Sequence, residues 1–154
     1  MVTTAARPPG REGHTAAMDR TIVVAAVAFV RDGHVLTVRK QGTSRFMLVG
    51  GKLEPGESAL EAAIRETREE VGIEVADLVL LGEFVSETAN EPGHELHSTV
   101  FLARKDVAAE PSALGEIAEL RWTDMAAAAA GEYDDLAPML EHHVLAKLRE
   151  PAQE

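Results

Sequence analysis

Three glutamates, Glu66, Glu69 and Glu70, stand three and four positions apart in the run EAAIRETREEVGI. At about 100° of rotation per residue they fall within an arc of roughly 100° on one side of a helix. Like charges at that spacing cost a helix about 0.2–0.5 kcal/mol per pair, so the cluster calls for a compensating cation. Magnesium, with manganese as its substitute, suits such a face, because it takes oxygen ligands, keeps several waters and is shared with substrate phosphates. Leu60, Ala63, Ile64, Thr67 and Val71 fill the adjacent side and are the expected core stripe. Ala59 and Ala62 lie on the acidic stripe a turn or two earlier, where small side chains would leave room for a phosphate chain.

The same run also reads as an ordinary solvated helix, with Glu61, Arg65, Glu66 and Arg68 mixing charges for solubility. The approach to the helix shifts the balance. Gly50-Gly51 are expected to form a glycine turn, and Glu54-Pro55-Gly56-Glu57 lead into the helix. A strand, a turn and a helix start in that order bring backbone groups close to anionic ligands. Gly50, Gly51 and Lys52 are therefore the expected substrate-binding positions.

Written as a pattern, the segment is Gly51, five residues, Glu57, seven residues, Arg65-Glu66, then Glu69-Glu70 and Gly72-Ile73. This resembles the signature of the Nudix hydrolases, G-x5-E-x7-R-E-U-x-E-E-x-G-U, at every charged and glycine position. Thr67 departs from it, standing where the family has a bulky aliphatic residue. The resemblance implies an α+β fold, a Nudix-type α/β/α sandwich with a mixed β-sheet and the glutamates facing an open cleft. It also implies hydrolysis of a phosphoanhydride in a nucleoside diphosphate linked to another moiety: a nucleoside triphosphate, an oxidised nucleotide or a nucleotide sugar.

By the same resemblance, Glu66, Glu69, Glu70 and the Gly51 carbonyl are metal ligands, Arg65 holds a glutamate of the motif through a bidentate salt bridge, and Glu57 is structural. Catalysis falls to Glu66, Glu69, Arg65 and a glutamate outside the motif, Glu116, which is also an expected ligand. Glu119 competes for that last role, a solvated loop glutamate explains Glu116 as well, and the identity of the general base stays open. Markers of two subfamilies are missing: Glu87, Thr88, Ala89 and Asn90 occupy the stretch where ADP-ribose hydrolases carry a proline or dinucleoside polyphosphate hydrolases a tyrosine.

At 154 residues the chain makes one domain. It has no cysteine, which removes disulfides, thiolate metal sites and cysteine nucleophiles and fits a reducing, cytoplasmic setting. A net charge of −11 argues against attraction to a nucleic-acid polymer, so the expected partner is a small nucleotide that arrives with metal. No apolar run reaches membrane-spanning length. A homodimer is left open. The six histidines carry no zinc spacing, and His142 and His143, adjacent on a helix, point apart. Phe46 and Trp122 read as core anchors.

Residues 1–18 read as a flexible leader, with Met18 an alternative start, and residues 19–150 as the domain. The apolar stretch Thr21–Val30 reads as a buried strand and not a secretory segment, because Glu12 and Asp19 interrupt the basic residues before it. Ile22–Val30 is apolar at odd and even positions, which suits a strand covered on both faces, and Asp32-Gly33 turns it into Val35–Val38. Further strands are expected at Phe46–Val49, Val75–Phe84, Leu96–Ala103 and Leu120–Trp122, with helices at Met125–Ala130 and Pro138–Leu148. A non-catalytic nucleotide sensor of the same shape and a plain acidic interaction domain are the competing classes. The intact glutamate set favours the enzyme.

Overall fold

The computed structural model describes residues 21–88, 93–104 and 110–150; the expected leader and the middle of the loop at 87–93 lie outside them. Strand β1 (Thr21–Ala28) is apolar from Ile22 on, and its second half, Ala25–Ala28, is buried on both faces. Side chains alternate across a strand, so Ala25 and Val27 enter one core with Leu36, Val49, Ala62 and Ala63. Ala26 and Ala28 enter a second core with Leu136, Leu140, Val144 and Leu145.

The sheet containing β1 is mixed. Strand β4 (Val49–Lys52) pairs antiparallel with β1, β6 (Glu95–Ala103) pairs parallel with β1, and β5 (Leu78–Glu87) pairs antiparallel with β6 on the outer edge. A second, antiparallel sheet holds β2 (Val30–Arg31), β3 (His34–Lys40) and β7 (Ile117–Asp124) in that order. One expected strand, Ile22–Val30, is thus two. At buried Phe29 the chain leaves the first sheet for the second, and the Phe29 carbonyl accepts from Leu36 N at 2.9 Å. An unbroken apolar run carries no mark of that switch.

Helix α1 (Ala59–Val71) packs on β4 and β1. Ser58 Oγ accepts from Glu61 N at 3.1 Å and the Glu61 carboxylate accepts from Ser58 N at 2.9 Å, a capping box that fixes the first turn. Gly72, at φ 76°, takes the left-handed conformation that ends it. The buried face runs through Ala62, Ala63, Thr67, Glu70 and Val71. Two expectations fail here. Leu60 is 44% exposed, and Ala62 is wholly buried against the sheet, so it leaves no space for phosphates. Small Ala62 and Ala63 let the helix lie close on the strands, which rotates the contact face toward Glu70 and away from Leu60. Thr67 fills its place by donating its hydroxyl to the Ala63 carbonyl at 2.8 Å.

Gly50 and Gly51 form no turn: they lie inside β4, opposite Ala26 and Ala25. The turn is at Pro55-Gly56, where Gly56 has φ 79°. Phe46 and Met47 make only isolated bridges, so that strand begins at Val49. Likewise Ile73 and Val75 are buried without ladder partners and β5 starts at Leu78. After β7 come a short helix α2 (Met125–Ala129) and a helical segment from Pro138, whose π-helical turn at Leu140–Val144 runs into α3 (Leu145–Leu148). This segment covers the face of the mixed sheet opposite α1, which completes an α/β/α sandwich. Among the described residues no helix is long and apolar enough to cross a membrane.

Candidate active site

Arg65 is the hub from which the acidic site is built. Its guanidinium grips Glu57 with two bonds, Nε to Oε2 at 2.7 Å and Nη2 to Oε1 at 2.8 Å. It also donates to Glu66 at 3.1 Å, to Glu69 at 3.3 Å and to the Lys52 carbonyl at 3.1 Å. One planar fork thereby ties the loop before α1, the end of β4 and the acidic helix face together. These bonds hold the Glu57 carboxyl down at about 2, with a further contribution from the Glu54 backbone N–H, and raise Arg65 above its ordinary value.

Glu70 is set apart by burial, at 5% exposure. Its Oε1 accepts from Gly50 N at 3.2 Å and its Oε2 lies 3.6 Å from Lys40 Nζ. Burial pushes its carboxyl up to about 7; Lys40 and the Gly50 N–H pull the other way, and neighbouring Glu66 adds to the rise. Lys40 reaches this point because the β3–β7 register shifts between Arg39 and Lys40. Glycine is needed on the facing strand. A Cβ on Gly51 would stand 2.5 Å from the Glu66 carboxylate, and one on Gly50 would strike the Ala25 carbonyl oxygen.

The last wall comes from the segment before β7. Ser112 N and Leu114 N donate to the Val71 and Glu70 carbonyls at 3.0 Å each, satisfying acceptors that the end of α1 leaves open. That docking carries Gly115 and Glu116 over the helix end. A cleft of about 610 Å³ results, lined by Lys40, Gly51, Lys52, Arg65, Glu66, Glu69, Glu70 and Glu116 among others. Of the two outside glutamates only Glu116 lines it; Glu119 lies along β7 and accepts from Arg39 at 3.1 Å. Phe46 and Trp122 line neither this cleft nor the pocket beside it. Among the described residues no three acidic or histidine side chains converge as a metal-holding group. Glu66 and Glu69 are turned onto Arg65, and Glu70 onto Lys40.

A second cavity adjoins the cleft. It is a pocket of about 150 Å³ between the mixed sheet and the Ala137–Leu140 segment, walled largely by aliphatic side chains. Lys40, Gly51 and Lys52 line both cavities. The sequence reading missed this pocket and Lys40, since a single lysine closing a strand carries no signal of its own.

The family model of the NUDIX domain matches residues 19–143. The chain belongs to the NUDIX family. It is 37% identical over 76 residues to a CTP pyrophosphohydrolase of Escherichia coli (strain K12), a match covering 47% of this chain and 53% of that enzyme. The chain thus spans about half the length of this relative. Among solved structures, the MutT NUDIX hydrolase from Burkholderia pseudomallei is 27% identical, covers 69% of this chain and 84% of its own, and has a TM-score of 0.61. The E. coli ORF135 protein in its solution structure is 28% identical, covers 87% and 96%, and has a TM-score of 0.63. The acidic cleft is therefore built on the NUDIX motif, with Glu57 and Arg65 bracing the face that Glu66, Glu69 and Glu70 present.

Proposed function

We propose that this NUDIX protein hydrolyses a phosphoanhydride bond of a small nucleotide, a nucleoside triphosphate in the first instance, with magnesium or manganese. The observation that carries this reading is the shared wall: Gly51, Lys52 and Lys40 border both an acidic cleft and an aliphatic pocket. A molecule with a phosphate chain at one end and a ring at the other spans the two. The name of the CTP pyrophosphohydrolase relative agrees with such a substrate.

The donor set fits a divalent cation. Glu66, Glu69, Glu70 and Glu116 offer only carboxylate oxygens and the Gly51 carbonyl adds another, the hard ligands magnesium prefers. When bound, the cation withdraws charge that develops on the phosphate oxygens. Lys52, at the end of β4, and Lys40, at the end of β3, line the cleft and supply positive charge for the anionic chain. Glu116, which lines the cleft, is the base we propose to orient and deprotonate the attacking water. Arg65 acts through Glu57, Glu66 and Glu69 as a positioning residue. We assign the protein to the cytoplasm on its lack of cysteine.

The test incubates the protein and magnesium with nucleoside triphosphates, oxidised nucleotides, nucleotide sugars and dinucleotides, measuring phosphate and pyrophosphate release separately. Release from a triphosphate supports the reading. Saturable binding without turnover of any compound replaces it with the sensor reading.

A further inference from the structure

We infer that Ser98 is a specificity-determining residue, which hydrogen-bonds a single-ring, pyrimidine base held in the aliphatic pocket. The inference rests on the nucleotide reading above and names the base and the group that reads it. Ser98 lies in the middle of β6, where a strand buried on this face has no structural need for a hydroxyl. It is 4% exposed, and among the described residues its side chain has no hydrogen-bond partner. Compare Thr37 and Thr123, the buried hydroxyls of the second sheet, which pair with each other at 2.9 Å. A buried hydroxyl without a partner costs roughly 1–3 kcal/mol, so its place in a binding pocket points to a ligand that supplies the missing bond.

The geometry says where that ligand sits. Alternation along β6 puts Ser98 on the same face as Leu96 and Val100, and all three line the pocket. Ser98 stands beside Val24 of β1 in the parallel register, with Met139 and Leu140 among the residues of the helical segment that close the pocket. The walls are mostly aliphatic; Lys40, Lys52, Glu87 and Thr88 also line the pocket, but of its polar side chains only Ser98 is buried. The volume, about 150 Å³, matches that of an aliphatic protein cavity known to hold one benzene. One six-membered ring fills such a space to its full depth; a fused purine, entering from the side of Lys40 and Lys52, fits it less closely. A serine hydroxyl rotates to donate or accept, so it serves a ring carbonyl, a ring nitrogen or an exocyclic amine alike. It selects the ring that brings a polar edge to this depth, not cytosine over uracil.

The experiment measures binding of CMP, UMP, AMP and GMP to the full chain and to Ser98→Ala by calorimetry. Melting temperatures and steady-state kinetics with CTP and ATP are taken on the same preparations. We expect the two pyrimidine monophosphates to bind at least about tenfold tighter than the purines. Ser98→Ala should weaken pyrimidine binding by about fivefold to tenfold and raise KM for CTP by as much, with kcat unchanged. Its melting temperature should hold or rise, because the substitution removes an unpaired buried hydroxyl. Equal affinity for purines, no measurable monophosphate binding, or unchanged pyrimidine affinity in Ser98→Ala overturns the inference. So does a lower melting temperature with equal losses for all four nucleotides, the mark of a purely structural residue. If Ser98→Ala loses CMP while no triphosphate is turned over, the base pocket stands and hydrolysis falls. Turnover without base preference, unaffected by Ser98→Ala, gives the reverse.

Discussion

Lys40 Nζ lies 3.6 Å from Glu70 Oε2, joining a bulge at the end of one sheet to the most buried carboxylate of the acidic helix face. The lysine is partly exposed and the glutamate is not, so the pair leaves the burial of Glu70 only partly compensated.

Replacing Glu70 with Gln keeps its shape and its acceptor for the Gly50 N–H while removing a desolvated charge. Stability should therefore be unchanged or slightly higher, measured as melting temperature in the presence of a chelator. Turnover at saturating magnesium should fall by about a hundredfold to ten-thousandfold, since each ~1.4 kcal/mol of transition-state stabilisation is a factor of ten. Unchanged turnover would remove the glutamate face from catalysis.

The two glycines of β4 separate fold from site. In Gly50→Ala the new Cβ meets the backbone of Ala25 and Ala26, which cannot give way, so a loss of about 1–3 kcal/mol is expected. That is a fall of several degrees in melting temperature for a domain of this size. Gly51→Ala meets only the far end of Glu66, which can swing aside. It should melt near the wild-type temperature yet bind manganese more weakly, and titration by calorimetry distinguishes the two variants.

Asp135 gives a pH signature away from the cleft. Arg121 donates to both of its oxygens at 2.9 Å while its guanidinium stacks on Phe46 at 3.8 Å and on Tyr133 at 4.6 Å. Those hydrogen bonds hold the Asp135 carboxyl below its ordinary value. A depressed folded value means the stabilisation is present above the unfolded pKa of about 3.9 and is lost as pH falls through the folded one. Asp135→Asn should melt lower than wild type at pH 7, and the gap should close under acid. The carboxylate is about a third exposed, so the gap should be at most about 1 kcal/mol and shrink in high salt. A gap that persists under acid would mean packing, not charge, accounts for it.

Divalent metal should be needed throughout. Exhaustive chelation should abolish phosphoanhydride hydrolysis, and manganese should restore it alongside magnesium. Robust turnover in chelator would leave the carboxylate face without its proposed role.

The motif was legible because charge spacing along one helix needs no tertiary knowledge: Arg65 and its glutamates lie where a 3.6-residue period puts them. Burial of the second half of β1 on both faces was legible too, since neither odd nor even positions there offer a polar residue; the exposure of Val23 was not. The switch of sheets at Phe29 was not, because an apolar run looks the same whichever sheet it joins. Ala62 was misplaced for a related reason. The helix period fixes relative positions on the face, while its absolute rotation is set by how closely small residues let it approach the sheet. Gly50 and Gly51 read as a turn although they sit in a strand, where the Ala25–Ala26 backbone excludes a Cβ at Gly50 and the Glu66 carboxylate crowds one at Gly51. Lys40 and Ser98 have meaning only once elements distant in sequence are assembled around them.

The two-sheet topology also sets an order of events in biosynthesis. β1 is made first among the described strands, yet its parallel neighbour spans Glu95–Ala103, and β3 is completed by Ile117–Asp124. The acidic helix is therefore made before β6 and β7, the strands that complete the two sheets. Until those late strands arrive, a strand apolar on both faces lacks a neighbour along one edge. That unpaired apolar edge is the nascent chain's main aggregation hazard.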